Sequence, residues 1–311
     1  MWMAAFWPCS NDMTWIILGL GAGIILGIYD FLTKIALRKN GVLEVVFLSS
    51  LIGALVWLPF ILAPDNAVHA LRPVGLAPEG LSLSEHLAVL PKSLMMVVTW
   101  VLSYYSVKAL PLSISAGIRA SGPVWTAIGA YVFLGELLSP MQWTGILLAV
   151  AAYYYFSLIG KKEGIHVQSN LWVFCMLAAT LMSSANALYD KHILVNLDLD
   201  LASVQAYSAL QRAALAAIIL PFIIKRITLK GLMSENWSIT ALAIAYVTAE
   251  FVYLWSVNSE GALISVISIL RRTNLIMVFG LSAILLRENN IPQKTMAIGV
   301  VLLGICLVIL N

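Results

Sequence analysis

Between Glu260 and Arg287 the chain reads GALISVISILRRTNLIMVFGLSAILL, a run of 26 residues whose only charges are Arg271 and Arg272. At about 1.5 Å per residue such a run crosses a hydrocarbon core of roughly 30 Å. An arginine near the bilayer centre costs about 2.5–3.5 kcal/mol on insertion scales. Its guanidinium does not escape by deprotonation. The pair therefore requires counter-charges, a water-filled cavity or an anionic ligand, and this requirement governs how the chain can fold.

The surrounding sequence is equally apolar: 61% of the 311 residues are hydrophobic and 11% charged, with a mean hydropathy of +0.94. Soluble domains carry roughly 25% charged residues, so the chain reads as an all-α polytopic membrane protein. A scattered net charge of +3 does not suit nucleic-acid binding. Cys9, Cys175 and Cys306 are isolated, and His69, His86, His166 and His192 lack ligand spacing. No metal site, disulfide framework or Walker A loop follows from them, and no cofactor is expected. The first twelve residues lack the basic region and cleavage site of a signal peptide, and the first apolar segment is expected to be a retained helix.

Ten apolar segments are expected to span, at 14–37, 43–62, 94–110, 113–134, 141–159, 171–195, 202–224, 237–257, 262–286 and 291–310. The one long connection, 63–93, contains SLSEHLAVLPKSL and suggests an interfacial amphipathic turn. Gly19, Gly23 and Gly27 form a small-xxx-small stripe for close helix packing.

The two halves echo each other. Tyr29-Asp30 recurs as Tyr189-Asp190 at an offset of 160, and Leu58-Pro59-Phe60 as Leu220-Pro221-Phe222 at 162. Ser106-Val107 recurs as Ser256-Val257 at 150, and Glu136 with Pro140 as Glu288 with Pro292 at 152. Two five-helix repeats, 1–165 and 166–311, are expected. An odd helix number forces them into opposite orientations, with a substrate site near the pseudo-twofold axis. The same offset makes Arg119 the counterpart of Arg271. Pro123 removes the helical hydrogen bond to the Arg119 carbonyl and loosens the helix there.

Four arginines, Arg119, Arg212, Arg271 and Arg272, sit deep in these segments against one deep acid, Glu250. Asp30 with Lys34, and Asp190 with Lys191, are expected to pair locally nearer the helix ends. A positive surplus near the axis points to an anionic substrate, because arginine's planar fork suits phosphate or carboxylate. Arg119, Arg271 and Arg272 would form the clamp, Arg212 and Glu250 would hold or tune it, and Tyr29 and Tyr189 would line the cavity. Glu250, Asp30 and Asp190 are the candidates for ion coupling.

The helix count, the inverted repeat and Leu134-Gly135-Glu136 followed by Pro140 resemble the EamA type of the drug/metabolite transporter superfamily. The second half departs from that pattern, with Leu286-Arg287-Glu288 where glycine is usual. GIRASGP and ILRRTN are similar to the basic positions of the triose-phosphate and nucleotide-sugar translocators. This resemblance implies a multi-pass bacterial inner-membrane transporter of a small phosphorylated or otherwise anionic solute. The repeats lead us to expect alternating access, and arginines that keep their charge make exchange of one anion for another the simplest scheme. Membrane lipids are the expected surroundings, and the chain is a monomer or homodimer. A flippase of a lipid phosphate, and an exporter of amino acids with structural arginines, are the alternatives. An intramembrane protease is disfavoured, because each YD pair sits beside a lysine and no GxGD partner occurs. Eleven basic residues on one side against three (Arg72, Lys92, Lys191) put both termini outside, whereas the resemblance implies cytoplasmic termini.

Overall fold

The computed structural model describes residues 14–110, 115, 118–119, 121–161, 170–218, 220–223, 237–274, 277, 299–300 and 302–307. Among them there is no strand. The helices, in order, are α1 (Thr14–Lys39), α2 (Val42–Ile61), the short α3 (Asp65–Leu71), α4 (Leu83–Ala109), α5 (Gly122–Gly129) and α6 (Pro140–Lys161). They continue with α7 (Leu171–Lys191), α8 (Leu201–Ala217), the single turn α9 (Leu220–Ile223), α10 (Trp237–Asn258) and α11 (Ile264–Leu270). Five of the described helices are long and apolar enough to cross a membrane: α1, α2, α4, α10 and α7 with its extension to Asn196. The chain is an all-α integral membrane protein. Much of the ninth and tenth expected spans, Glu288 included, lies outside the described residues.

The connection expected at 63–93 is shorter than the apolar pattern implied, because α4 begins at Leu83 rather than at residue 94. Ser82 and Glu85 form a reciprocal capping box, with the Ser82 amide donating to the Glu85 carboxylate at 2.6 Å. Lys92 is thereby carried more than two turns into a helix.

Helix discontinuities fall where the arginines are. The helix holding Ile118 and Arg119 breaks at Ser121, and α5 restarts with Pro123 in its first turn, where a missing N–H costs nothing. α5 ends in a π-helical turn, Ala130–Leu134, closed by Gly135 at φ 67°. α11 likewise tightens into a 3₁₀ turn at Arg271–Thr273.

The glycine stripe packs as its spacing predicts. α1 lies along α10 and against the Arg271–Thr273 turn. A Cβ on Gly19 would meet Leu270 Cδ1 at 3.1 Å, one on Gly23 would collide with Thr273 Oγ1, and one on Gly27 would meet the Asn274 carbonyl at 2.6 Å. The stripe is the surface on which the arginine turn is seated.

Candidate functional site: a charged cavity between helices

A cavity of about 140 Å³ opens among α1, α4, α5, α7, α10 and the turn after α11. Asp30, Arg119, Asp190, Glu250, Arg271 and Arg272 all line it, together with Tyr29. Charges spread along the sequence from Asp30 to Arg272 thus share one space.

At one end, Arg119 Nη1 donates to Asp30 Oδ1 at 2.8 Å, and Asn274 Nδ2 donates to Asp30 Oδ2 at 2.7 Å. Beside them the Tyr29 and Tyr104 hydroxyls share a hydrogen bond of 2.6 Å. The expected pairing of Asp30 with Lys34 is not made: Lys34 donates to the Val107 carbonyl at 2.8 Å instead. The longer reach to Arg119 brings two helices together, which a pair within one helix does not do.

At the other end, Lys92 bridges two carboxylates, Asp190 Oδ1 at 2.7 Å and Glu250 Oε1 at 2.9 Å. Asn186 Nδ2 donates to the second Asp190 oxygen at 3.1 Å. Arg212 stands behind Glu250, 3.2 Å from its other oxygen, and donates to Ser208 Oγ at 3.1 Å. Its guanidinium also lies 5.6 Å from the Trp100 ring centre and 5.4 Å from that of Tyr246. Two cations and two carboxylates make this cluster neutral, and their shared hydrogen bonds offset part of the desolvation that burial imposes.

The expected Asp190–Lys191 pair is replaced as well. Lys191 does not line the cavity; it donates at 2.7 Å to both Glu136 Oε1 and the Ala262 carbonyl. Glu136 in turn accepts from the Ile264 amide at 2.9 Å, the Ser265 amide at 3.2 Å and Ser265 Oγ at 2.6 Å. The glutamate of Leu134-Gly135-Glu136 is thus the N-terminal cap of α11, satisfying amides that a helix start leaves without partners. It fixes the helix that carries Arg271.

Arg271 itself rests on an aromatic face, its Cζ 4.1 Å from the Tyr253 ring centre. Its Nε is buried and makes no hydrogen bond among the described residues. Arg272 extends toward α5 across Gly122, where a Cβ would come within 2.8 Å of Arg272 Nη2.

Of the residues singled out from sequence, seven line the cavity, and Arg212 supports it from behind. Tyr189 does not line it; its hydroxyl donates to the Ala88 carbonyl at 2.8 Å, joining α7 to α4. The inventory of four deep cations against one acid requires correction. Asp30 and Asp190 are also buried, and so is Lys92, with no exposed surface at all. In and directly behind the cavity the balance is five cations (Lys92, Arg119, Arg212, Arg271, Arg272) against three carboxylates (Asp30, Asp190, Glu250), with Glu136 and Lys191 forming a separate pair. Lys92 was missed because the apolar run begins at Leu94. The Ser82-x-x-Glu85 pattern was the signal that would have placed it inside a helix. With Lys92 and Lys191 both committed to internal pairs, two of the three basic residues on the sparser side no longer report on orientation.

Residues 13–158 match the EamA-like transporter family. The threonine/homoserine exporter RhtA of Escherichia coli K12 is 30% identical over 152 residues, which are 49% of this chain and 48% of that protein. RhtA proteins of E. coli O6:H1 and O157:H7 match to the same extent. The alignment thus spans about half the length of the curated relatives. A solved crystal structure superposes with a TM-score of 0.72 over 97% of this chain and 98% of that one, at 16% identity, and shares the fold.

Proposed function

We propose that this chain, an EamA-type member of the drug/metabolite transporter superfamily, is a secondary transporter that moves a small anionic metabolite through the cavity by alternating access. The observation that carries this reading is Arg271. Its guanidinium faces the cavity seated on Tyr253, whereas the three carboxylates there are engaged by Arg119, Lys92 and Arg212. A guanidinium held on an aromatic face keeps its N–H edge for a planar or tetrahedral oxyanion. Arg119 and Arg272 line the same space and add to the positive field.

The interruption at Ser121 and the 3₁₀ tightening at Arg271–Thr273 support the mechanism, since irregular helices place polar backbone at transporter sites. The inverted-repeat reading, 1–165 and 166–311, rests on the recurring motifs, and Asp30 and Asp190, which it relates, have similar surroundings though their partners are not repeat counterparts. Each accepts from one basic side chain and one asparagine amide. Permanently charged arginines carry no protons through a cycle, and exchange of one anion for another is the simplest scheme. Coupling through Asp30, Asp190 or Glu250 is the alternative.

Size limits the solute. A cavity of about 140 Å³ suits a small metabolite, with or without one phosphate. A second reading, export of small amino acids, is favoured by the RhtA relatives. It shares the carboxylate with the first. Counterflow in proteoliposomes tests the proposal. Liposomes preloaded with glycerate or glycerol phosphate should accumulate the labelled compound, and Arg271→Gln should abolish this. Equal accumulation by the variant refutes the anion clamp.

A further inference from the structure

Asp190 and Glu250 come from different helices, α7 and α10, yet one oxygen of each converges on a single nitrogen at 2.7 and 2.9 Å. That is the geometry of a binding site for a primary ammonium. The ammonium in it belongs to the protein. Both carboxylates line the cavity, whereas Lys92 reaches them from α4 without lining it. We infer that Lys92 determines specificity: its ammonium occupies the place that Asp190 and Glu250 would offer to the ammonium of a zwitterion, so the cavity selects acids over the corresponding amino acids. This rests on the anion clamp at Arg271.

The remaining acceptors point the same way. Both Asp30 oxygens are taken, by Arg119 and Asn274. Both Asp190 oxygens are taken, by Lys92 and Asn186. The second Glu250 oxygen lies 3.2 Å from the Arg212 guanidinium, an ion pair without a hydrogen bond among the described residues. A substrate ammonium would therefore meet engaged carboxylates and several guanidinium groups, and only displacement of Lys92 would make room for it. A hydroxyl at the same carbon carries no such penalty. The Oδ1 atoms of Asn186 and Asn274, both buried on cavity-lining residues, accept no hydrogen bond among the described residues. They suit hydroxyl donors.

The test compares two ligands that differ only in OH against NH₃⁺, 2,4-dihydroxybutyrate and homoserine, by calorimetry on the purified full chain. The wild type should bind the hydroxy acid at least tenfold more tightly. In Lys92→Met the preference should narrow or reverse, with homoserine gaining at least tenfold. In Lys92→Met/Asp190→Asn, where the pair is removed together and less uncompensated charge stays buried, homoserine should gain nothing. The wild-type comparison stands even where a single variant fails to fold. Equal or tighter wild-type binding of homoserine, abolished by Arg271→Gln, overturns the role of Lys92 and leaves the clamp intact. Binding of neither ligand overturns the clamp and this inference with it. An unchanged preference in folded Lys92→Met overturns the inference alone.

Discussion

Glu136 is the residue through which a loss of local structure should translate most directly into a loss of function. It is 7% exposed and accepts from four donors: Lys191 Nζ, the Ile264 and Ser265 amides and Ser265 Oγ. Glutamine preserves the shape but presents one carbonyl oxygen and one NH₂ group. The NH₂ faces donors, so at least one amide or hydroxyl loses its acceptor, and Lys191 loses its counter-charge. Breaking a buried charged pair from one side costs about 3–5 kcal/mol, and the retained carbonyl recovers part of this. About 3 kcal/mol is expected, which at roughly 2 °C per kcal/mol for a chain of this size lowers Tm by about 6 °C. Lys191→Met leaves the cap on α11 intact and should cost less, about 2 kcal/mol. The double variant should fall short of the sum by about 1.5 kcal/mol, because both substitutions remove the same pair. Arg271 lies seven residues beyond Ile264, about 10 Å along the helix, so ligand affinity should drop with the cap. Tryptophan fluorescence during thermal unfolding in detergent reads the stability and calorimetry reads the affinity. A Tm for Glu136→Gln within about 1 °C of wild type would refute the argument, as would full additivity.

Three further outcomes follow from the geometry. Gly27→Val should lower stability by about 2–3 kcal/mol through overpacking and weaken ligand binding, because its Cβ meets Met277 and the Asn274 carbonyl; thermal unfolding checks the first and calorimetry the second. Gly135→Ala should cost about 1 kcal/mol in thermal unfolding, since φ 67° is left-handed backbone, with no steric clash to add because open space surrounds that Cβ. Tyr253→Leu removes the face under Arg271 and should raise the Kd of the anion about tenfold, the equivalent of one buried cation–π contact of roughly 1.4 kcal/mol.

The sequence made the arginines conspicuous because an apolar span has no other place for charge, and it made the glycine stripe readable because α1 is regular. Both survived into the structure as the seat and the occupant of one cavity wall. The ion-pair partners were not readable in the same way. Helical spacing proposes Asp30–Lys34 and Asp190–Lys191, but the preference for such local pairs is a few tenths of a kcal/mol. In an apolar interior, each carboxylate instead takes the cation that satisfies more of its oxygens, whatever the sequence separation. Lys92 illustrates the same limit from the other side. Hydropathy assigned it to a loop, whereas a capping box beginning ten residues upstream, at Ser82, decided where the helix began. Glu136 was recognisable as part of a motif, but its role as the cap of α11 depends on a contact across 128 positions.

The most direct test of the central claim is the affinity of the purified protein for a small hydroxy acid or phosphate ester, measured by calorimetry with and without Arg271→Gln. Binding that disappears in the variant, with Tm and helicity preserved, is the predicted result. Binding of the same ligand at unchanged affinity in folded Arg271→Gln would contradict the account and make the arginine a structural element of the helix bundle.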